Sequence, residues 1–374
     1  MSLSGPGPQA PWPAPVRPDT AGGLDDGLAV TGLRKTFGRS IGRSTGRRVA
    51  LDNLTLDVQR GEIFGLLGPN GAGKTTAFRL LAGLLPADGG TVFFDGVKVD
   101  PTLPAFRRQL GVVFQEPSLD LKLTGRENLA LGAALFGLSR ATSRARIADA
   151  LALMELGPRA DEAVQTYSGG MRRRLEIARV LLHEPALLLL DEPGRGVDPE
   201  ALRRIWTEIE RLTVERGLSV LLTTHQAEEA EHCRRVALLD AGRVLVTGTP
   251  DALRAMVAGD VIRVEGERPE EILTTILATF RATLEANFGG ADCGAHRSEP
   301  RASGAAGPRV LDGQVWLEAP RGHELIPRIV ELFPPGRLRA VSMARPTLAD
   351  VFAKLTGRAF VDSSVDSSVE ARPA

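Results

Sequence analysis

The sequence predicts an α/β protein built on a mainly parallel sheet, followed by a small α+β domain. Three observations carry that expectation. From about Leu28 to Thr249, short apolar runs such as Ile63-Phe-Gly-Leu-Leu, Ala186-Leu-Leu-Leu-Leu and Leu218-Ser-Val-Leu-Leu-Thr alternate with helical stretches. Continuous apolar runs of this kind suit strands buried on both faces of a parallel sheet. The first of them enters a glycine-rich turn and then a helix after Lys74, and beyond Pro250 a weaker, alternating pattern takes over.

The 374 residues, 43% of them hydrophobic, can bury one large or two ordinary cores. Formal net charge is zero, so the global basic signature of a nucleic-acid binder is missing and no nucleic-acid partner is expected. Cys233 and Cys293 fit a reduced protein better than a disulfide framework, and neither His232-Cys233 nor Cys293-x-x-His296 supplies four ligands at a zinc-like spacing. No apolar run approaches the ~18 residues of a membrane span, and the N-terminus lacks a signal pattern. A protein of this kind working at a membrane would take its spans from another chain.

Residues 1–26, with Pro6, Pro8, Pro11, Pro13, Pro15 and Pro18, are expected to be a disordered tail, as is the polar repeat at 362–374. Residues 27–253 form the predicted α/β domain. Within it, Leu121 to Ala163 reads as helical throughout, a helical subdomain inserted at about 116–170. Residues 254–361 form the accessory domain: a strand at Val261-Ile-Arg-Val, a helix over Pro269–Phe288, a Gly/Ala loop at 289–308, strands at Arg309-Val-Leu and Gln314-Val-Trp-Leu, a helix near Glu324–Phe333, a strand near Leu338–Met343 and a last helix from Leu348. The β-α-β-β-α-β order suggests a ferredoxin-like domain. Leu348, Val351, Phe352 and Leu355 would turn one face of the last helix toward a core.

Gly68-Pro69-Asn70-Gly71-Ala72-Gly73-Lys74-Thr75-Thr76 matches G-x-x-x-x-G-K-[ST], between an apolar strand and a helix as that motif requires. Its backbone N–H groups would cradle phosphates, Lys74 would neutralise the β/γ-oxygens, and the Thr75 hydroxyl would ligate Mg²⁺. Lysine is rare in this chain, five of 46 basic residues, so its presence here is informative. In Leu187-Leu-Leu-Leu-Asp191-Glu192 a buried strand ends in two carboxylates. Asp191 would hold Mg²⁺ and Glu192 would polarise an attacking water as general base.

A third element lies between these halves. Tyr167-Ser168-Gly169-Gly170-Met171 opens a helical stretch, Arg172-Arg-Arg-Leu-Glu-Ile-Ala-Arg, and Ser168 precedes Asp191 by 23 positions. A helix N-terminus offers unpaired N–H groups and a positive dipole end to an anion. This order of motifs resembles the ABC-type ATPases of the P-loop NTPases, over roughly residues 28–250. The resemblance implies ATP and Mg²⁺ as cofactors, with Ser168, Gly169 and Gly170 capping the γ-phosphate of ATP held by a second ATPase subunit. It assigns Gln115 to the loop that reaches Mg²⁺ and the attacking water, His225 to the γ-phosphate contact, and Asp198 to the loop that crosses the dimer seam. Phe37 is the candidate for stacking on adenine; a plain core phenylalanine is the competing reading. The triple arginine reads as a solvated helix face.

Departures from the family pattern are Met171 in place of the frequent glutamine and Gly194 where Ser or Thr commonly follows Asp-Glu-Pro, which suggests a looser loop. An Arg/Gly/Ser insert, Gly38–Arg48, reads as a solvated loop. The stretch Arg345-Pro-Thr-Leu-Ala-Asp-Val-Phe-Ala-Lys-Leu-Thr-Gly-Arg358 resembles the end of daunorubicin-resistance-type ATPases. That resemblance implies an exporter subunit, peripheral on the cytoplasmic face of the cell membrane, serving a permease of about six spans in drug, antibiotic or glycoconjugate/lipid efflux. The alternative is a soluble ABC ATPase acting on ribosomes or DNA; such members carry two cassettes or long coiled coils, whereas only about fifty residues separate Gln115 from Ser168 here.

Overall fold

The computed structural model describes residues 26–288 and 308–360, apart from single positions at 39, 42, 43, 46 and 258. The expected tails and most of the 289–308 loop therefore lie outside the described residues, as does the Cys293/His296 pair.

The all-apolar runs become the centre of a six-stranded sheet. Its order is Arg243–Gly248, Arg235–Asp240, Ile63–Leu67, Ser219–Thr224, Leu187–Asp191, Leu110–Val113. Every neighbouring pair is parallel except the first, which is an antiparallel edge hairpin. Ile63–Leu67, Leu187–Asp191 and Ser219–Thr224 are buried at every position, which is why their sequences are continuous rather than alternating. An antiparallel sheet packs beside it in the order Arg48–Gln59, Gly27–Phe37, Gly89–Phe94, Val97–Val99. Within the Gly38–Arg48 insert, Ser40–Ile41 pairs with Ser44–Thr45 as a short hairpin.

The inserted helical subdomain is less continuous than its composition suggests. Helices run over Gly125–Leu135 and Arg140–Leu153, with 3₁₀ turns at Gly157–Arg159 and Val164–Thr166. Leu121–Thr124 is not helical, because Thr124 is the N-cap of the helix that begins at Gly125. Its hydroxyl accepts from the Glu127 N–H at 3.1 Å while the Glu127 carboxylate accepts from the Thr124 N–H at 2.8 Å. Such a reciprocal box satisfies two otherwise orphaned donors. Thr124→Ala is expected to destabilise the chain by ~1 kcal/mol, read as a lower denaturant midpoint at unchanged slope.

The C-terminal residues form a four-stranded antiparallel sheet in the order Arg309–Leu311, Gln314–Ala319, Asp260–Gly266, Leu338–Ala344. Helices Pro269–Phe288 and Gly322–Glu331 supply the crossovers, giving the β-α-β-β-α-β connectivity of the ferredoxin-like arrangement. The closing helix Leu348–Thr356 is capped by Thr347 and buries Leu348, Val351 and Phe352, with Leu355 partly covered. These side chains share one buried cluster with Leu253, Val257 and Leu238, so the accessory sheet is sealed against the half that carries the six-stranded sheet rather than tethered to it. Arg358 adds an ion pair to Asp240.

Candidate functional site

The parallel strands end on one side of the sheet, the usual position for a ligand in an open α/β fold. Ile63–Leu67 runs into the turn Gly68–Gly73, and helix Lys74–Leu81 begins there. Gly73 sits at φ 111°, and a Cβ on it would lie 2.6 Å from the Ala50 carbonyl oxygen. A Cβ on Gly68 would lie 2.3 Å from the Leu239 carbonyl oxygen. Both positions therefore need glycine to let the backbone wrap closely. Lys74 is buried, and its ammonium donates to the carbonyls of Gly68 at 2.7 Å and Pro69 at 3.0 Å. Burial lowers its pKa, opposed by the charges of Glu192 and Asp191.

In front of this turn is a cavity of about 290 Å³ lined by Phe37, Arg48, Ala50, Asn70, Gly71, Gly73, Lys74, Thr75, Thr76 and Glu192. Phe37 is 41% exposed at its rim, with the Lys35 ammonium 5.8 Å from its ring centre, so it is not a core phenylalanine. Arg48, which no motif pointed to, brings a cation into the same cavity.

Asp191 and Glu192 stand at the end of strand Leu187–Asp191, one strand removed from Ile63–Leu67. The Thr223 hydroxyl, on the adjacent strand, donates to Asp191. Burial raises the Asp191 pKa. Glu192 is gripped at both oxygens: the Gln115 amide donates to Oε2 at 2.6 Å and His225 Nδ1 lies 2.9 Å from Oε1. The hydrogen bond from His225 is the largest influence on the Glu192 carboxyl, holding its pKa below the ordinary value. Its backbone is at φ 47°, a left-handed conformation that costs a non-glycine residue on the order of 1–3 kcal/mol. Such strain persists only where surrounding bonds over-determine it.

Ser168 stands elsewhere. It caps helix Gly169–Leu181, its hydroxyl accepting from the Met171 N–H at 3.2 Å. The turn packs on the Gly196–Asp198 loop: Cβ atoms added at Gly169 and Gly170 would come within 2.8 Å of the Gly196 carbonyl oxygen and 2.9 Å of the Ala201 Cβ. Asp198 caps helix Pro199–Arg216 by accepting from the Ala201 N–H at 2.9 Å. Within one chain, then, Lys74, Gln115, Asp191, Glu192 and His225 are brought together, while Ser168, Gly169, Gly170 and Asp198 form a second group outside the phosphate cavity.

Comparison with known proteins agrees with this geometry. The family model described as ABC transporter matches residues 51–195. The Nod factor export ATP-binding protein I of Cupriavidus metallidurans is 38% identical over 87% of this chain and 98% of its own length. The chain belongs to the ABC transporter ATP-binding family. A second relative, the daunorubicin/doxorubicin resistance ATP-binding protein DrrA of Streptomyces peucetius, is 36% identical over 86% of this chain. The dimeric post-hydrolysis structure of the ATP-binding cassette MJ0796, bound to ADP and phosphate, superposes with a TM-score of 0.53 at 28% identity. It covers 59% of this chain and 98% of that one. The protein is an ABC ATPase of exporter type, and the cavity at the glycine-rich turn suits the ATP this family binds.

Two sequence expectations about this ABC ATPase are corrected. The triple arginine is not a solvated face. Arg173 is 6% exposed, Arg172 donates to the carbonyls of Val164 and Gln165, and Arg174 donates to that of Met154. Gly194 does not loosen its loop either. Its N–H donates to the buried Glu229 carboxylate at 2.6 Å, and a Cβ there would lie 2.1 Å from the same oxygen. A larger cavity, about 500 Å³, lies between helix Arg140–Leu153 and the end of helix Pro199–Arg216. It contains none of the phosphate-binding residues, and Arg146 at its edge is paired with Glu184 at 2.6 Å.

Among the described residues no cluster of three His, Cys, Asp or Glu side chains could hold a metal alone. The donors at hand suit Mg²⁺ shared with phosphate: the Thr75 hydroxyl at the cavity wall and the Asp191 carboxylate at the end of strand Leu187–Asp191. No helix of the described residues is long and apolar enough to cross a membrane.

Proposed function

We propose that this ABC ATPase closes as a dimer around two ATP molecules and drives a separately encoded membrane permease in efflux. The observation that carries the reading is the separation of Ser168–Gly170 from the phosphate cavity: each chain holds two half-sites, and a second copy completes both. The dimeric cassette among its structural relatives supports the same arrangement.

In that assembly Lys74 and the turn Gly68–Thr76 bind the phosphates of one ATP, and Phe37 lies against its adenine. The partner copy's Ser168–Gly170 turn closes over the γ-phosphate, and Asp198 lies at the seam. Glu192, ionised and oriented by Gln115 and His225, takes the proton of the attacking water. Thr75, Asp191 and Gln115 would hold Mg²⁺, which would supply neutralisation of charge on the phosphate oxygens. Catalysis is otherwise positioning, the chief lever in phosphoryl transfer.

The permease proposal draws on the relatives' named roles in Nod factor export and daunorubicin resistance. It also draws on exposed apolar side chains following Gln115: Leu121, Leu131, Leu135 and Phe136. Leu131 and Leu135 are one helical turn apart, and exposed apolar surface of this kind marks a contact site. The cargo class is a drug, antibiotic or glycoconjugate/lipid, and the chain sits on the cytoplasmic face of the membrane. Isolation of the complex from native membranes tests the assignment. A permease of about six spans is expected to co-purify, with ATP hydrolysis stimulated by its cargo. Recovery on ribosomes or DNA without such a partner would overturn it.

A further inference from the structure

Arg173 lies in the first turns of helix Gly169–Leu181, the signature helix, and all five of its N–H groups have an acceptor. Nε donates to the Pro193 carbonyl at 3.1 Å. Nη1 donates to the Phe114 carbonyl at 2.6 Å and to Glu176 at 3.3 Å. Nη2 donates to the carbonyls of Asp191 at 3.0 Å and Glu192 at 3.4 Å. The guanidinium thus binds three consecutive carbonyls around Glu192 and the carbonyl just before Gln115.

Glu176, its ion-pair partner one turn along, is buried as well and extends the contact to the segment after Gln115. Its other oxygen accepts from the Ser118 N–H at 2.7 Å and the Ser118 hydroxyl at 3.3 Å. Arg179 donates to the Ser118 carbonyl at 2.8 Å. Two loops that meet at the Glu192 carboxylate are therefore fastened from behind to the helix whose N-terminus carries Ser168–Gly170.

A buried ion pair is a poor device for stability, since taking two charges out of water offsets most of their attraction. Its value here is geometric. A planar fork addresses several carbonyls in fixed directions, which a lysine with three donors on one nitrogen cannot do. The carbonyls it binds flank the residue held at φ 47°, the backbone that needs external bonds to persist.

We propose that the Arg173–Glu176 pair is a positioning element that fixes Glu192 and Gln115 relative to the signature helix. A displacement of that helix by nucleotide is thereby passed to the catalytic carboxylate of the same chain. The proposal rests on Glu192 acting as general base.

The test uses the full-length protein with two variants. Arg173→Lys keeps a cation opposite Glu176 but loses the fork. Arg173→Met combined with Glu176→Met removes both buried charges together, so neither is left alone. In each, kcat is expected to fall on the order of 10- to 100-fold, while the Kd for a fluorescent ATP analogue stays within about threefold of the parent. Added to Glu192→Gln, Arg173→Lys should cause little further loss, because both act through one group. Parental kcat in either folded variant overturns the proposal, as does a loss of ATP affinity that parallels the loss of kcat. Failure of both variants to fold assigns the pair to folding alone and also overturns it. Should Glu192→Gln itself turn over normally, the general-base reading fails instead, and the two failures are told apart.

Discussion

Glu192→Gln is expected to abolish most ATP hydrolysis while leaving ATP binding nearly intact. The ammonium of Lys74 bonds to the carbonyls of Gly68 and Pro69 rather than to this carboxylate, so the phosphate cradle keeps its shape. The replacement is isosteric, and its one oxygen can still accept from either Gln115 or His225. The other partner can adjust, since the Gln115 amide can turn to present its own oxygen. In the proposed general-base role, what is lost is the capacity to take a proton in the transition state, worth typically 10²–10⁴ in rate, or about 2.7–5.4 kcal/mol of barrier. Phosphate release should fall by that factor with ATP affinity within a fewfold of the parent. With hydrolysis blocked, ATP should hold the protein as a dimer by size exclusion. Turnover at the parental rate would remove Glu192 from the base role.

The approach of Lys74 to Glu192 was legible in the sequence because phosphate chemistry dictates residue type and spacing, whereas Gln115 and His225 were reached only through the family resemblance. A strand, a glycine turn and a lysine must come together, and a second strand must deliver carboxylates to the same edge. The all-apolar runs pointed to the parallel sheet for the same reason, because strands covered on both faces have no side left for alternation. The accessory domain was readable from its element order, and its antiparallel pairing agreed.

Other features were hidden for identifiable physical reasons. Arg173 looked solvated because basic clusters on helices usually are. The contrary signal was its phase, since Gly170, Arg173, Ile177 and Val180 lie on one buried stripe and Glu176 falls beside it. Its partners are main-chain carbonyls, which carry no sequence signature. Leu121–Thr124 looked helical by composition, yet the Thr124 capping box starts the helix later. Arg48 reaches the nucleotide cavity from the end of an insert whose length alone suggested a solvated loop.

The role of Gly194 was hidden by a contact 35 positions away, and it gives the second large prediction. Glu229 is 3% exposed, on the short helix Ala227–Ala230, and burial raises its pKa. The Gly194 N–H is one of the groups that make its carboxylate tolerable there, at 2.6 Å. Restoring the serine common elsewhere in the family would put a Cβ 2.1 Å from Glu229 Oε1, with Leu202 Cδ2 at 3.0 Å on another side. The carboxylate must then swing away and lose a hydrogen bond to a charged group, a cost of about 1.5–3 kcal/mol. Gly194→Ser is therefore expected to lower stability by that amount in chemical denaturation. It should also slow hydrolysis, since the displaced loop begins two residues after Glu192. If the collision with Glu229 is the cause, the penalty should largely vanish when Glu229→Ala is present first, a coupling of about 1–3 kcal/mol in a double-mutant cycle. Additive effects of the two substitutions would place the cost of Gly194→Ser in the loop backbone instead.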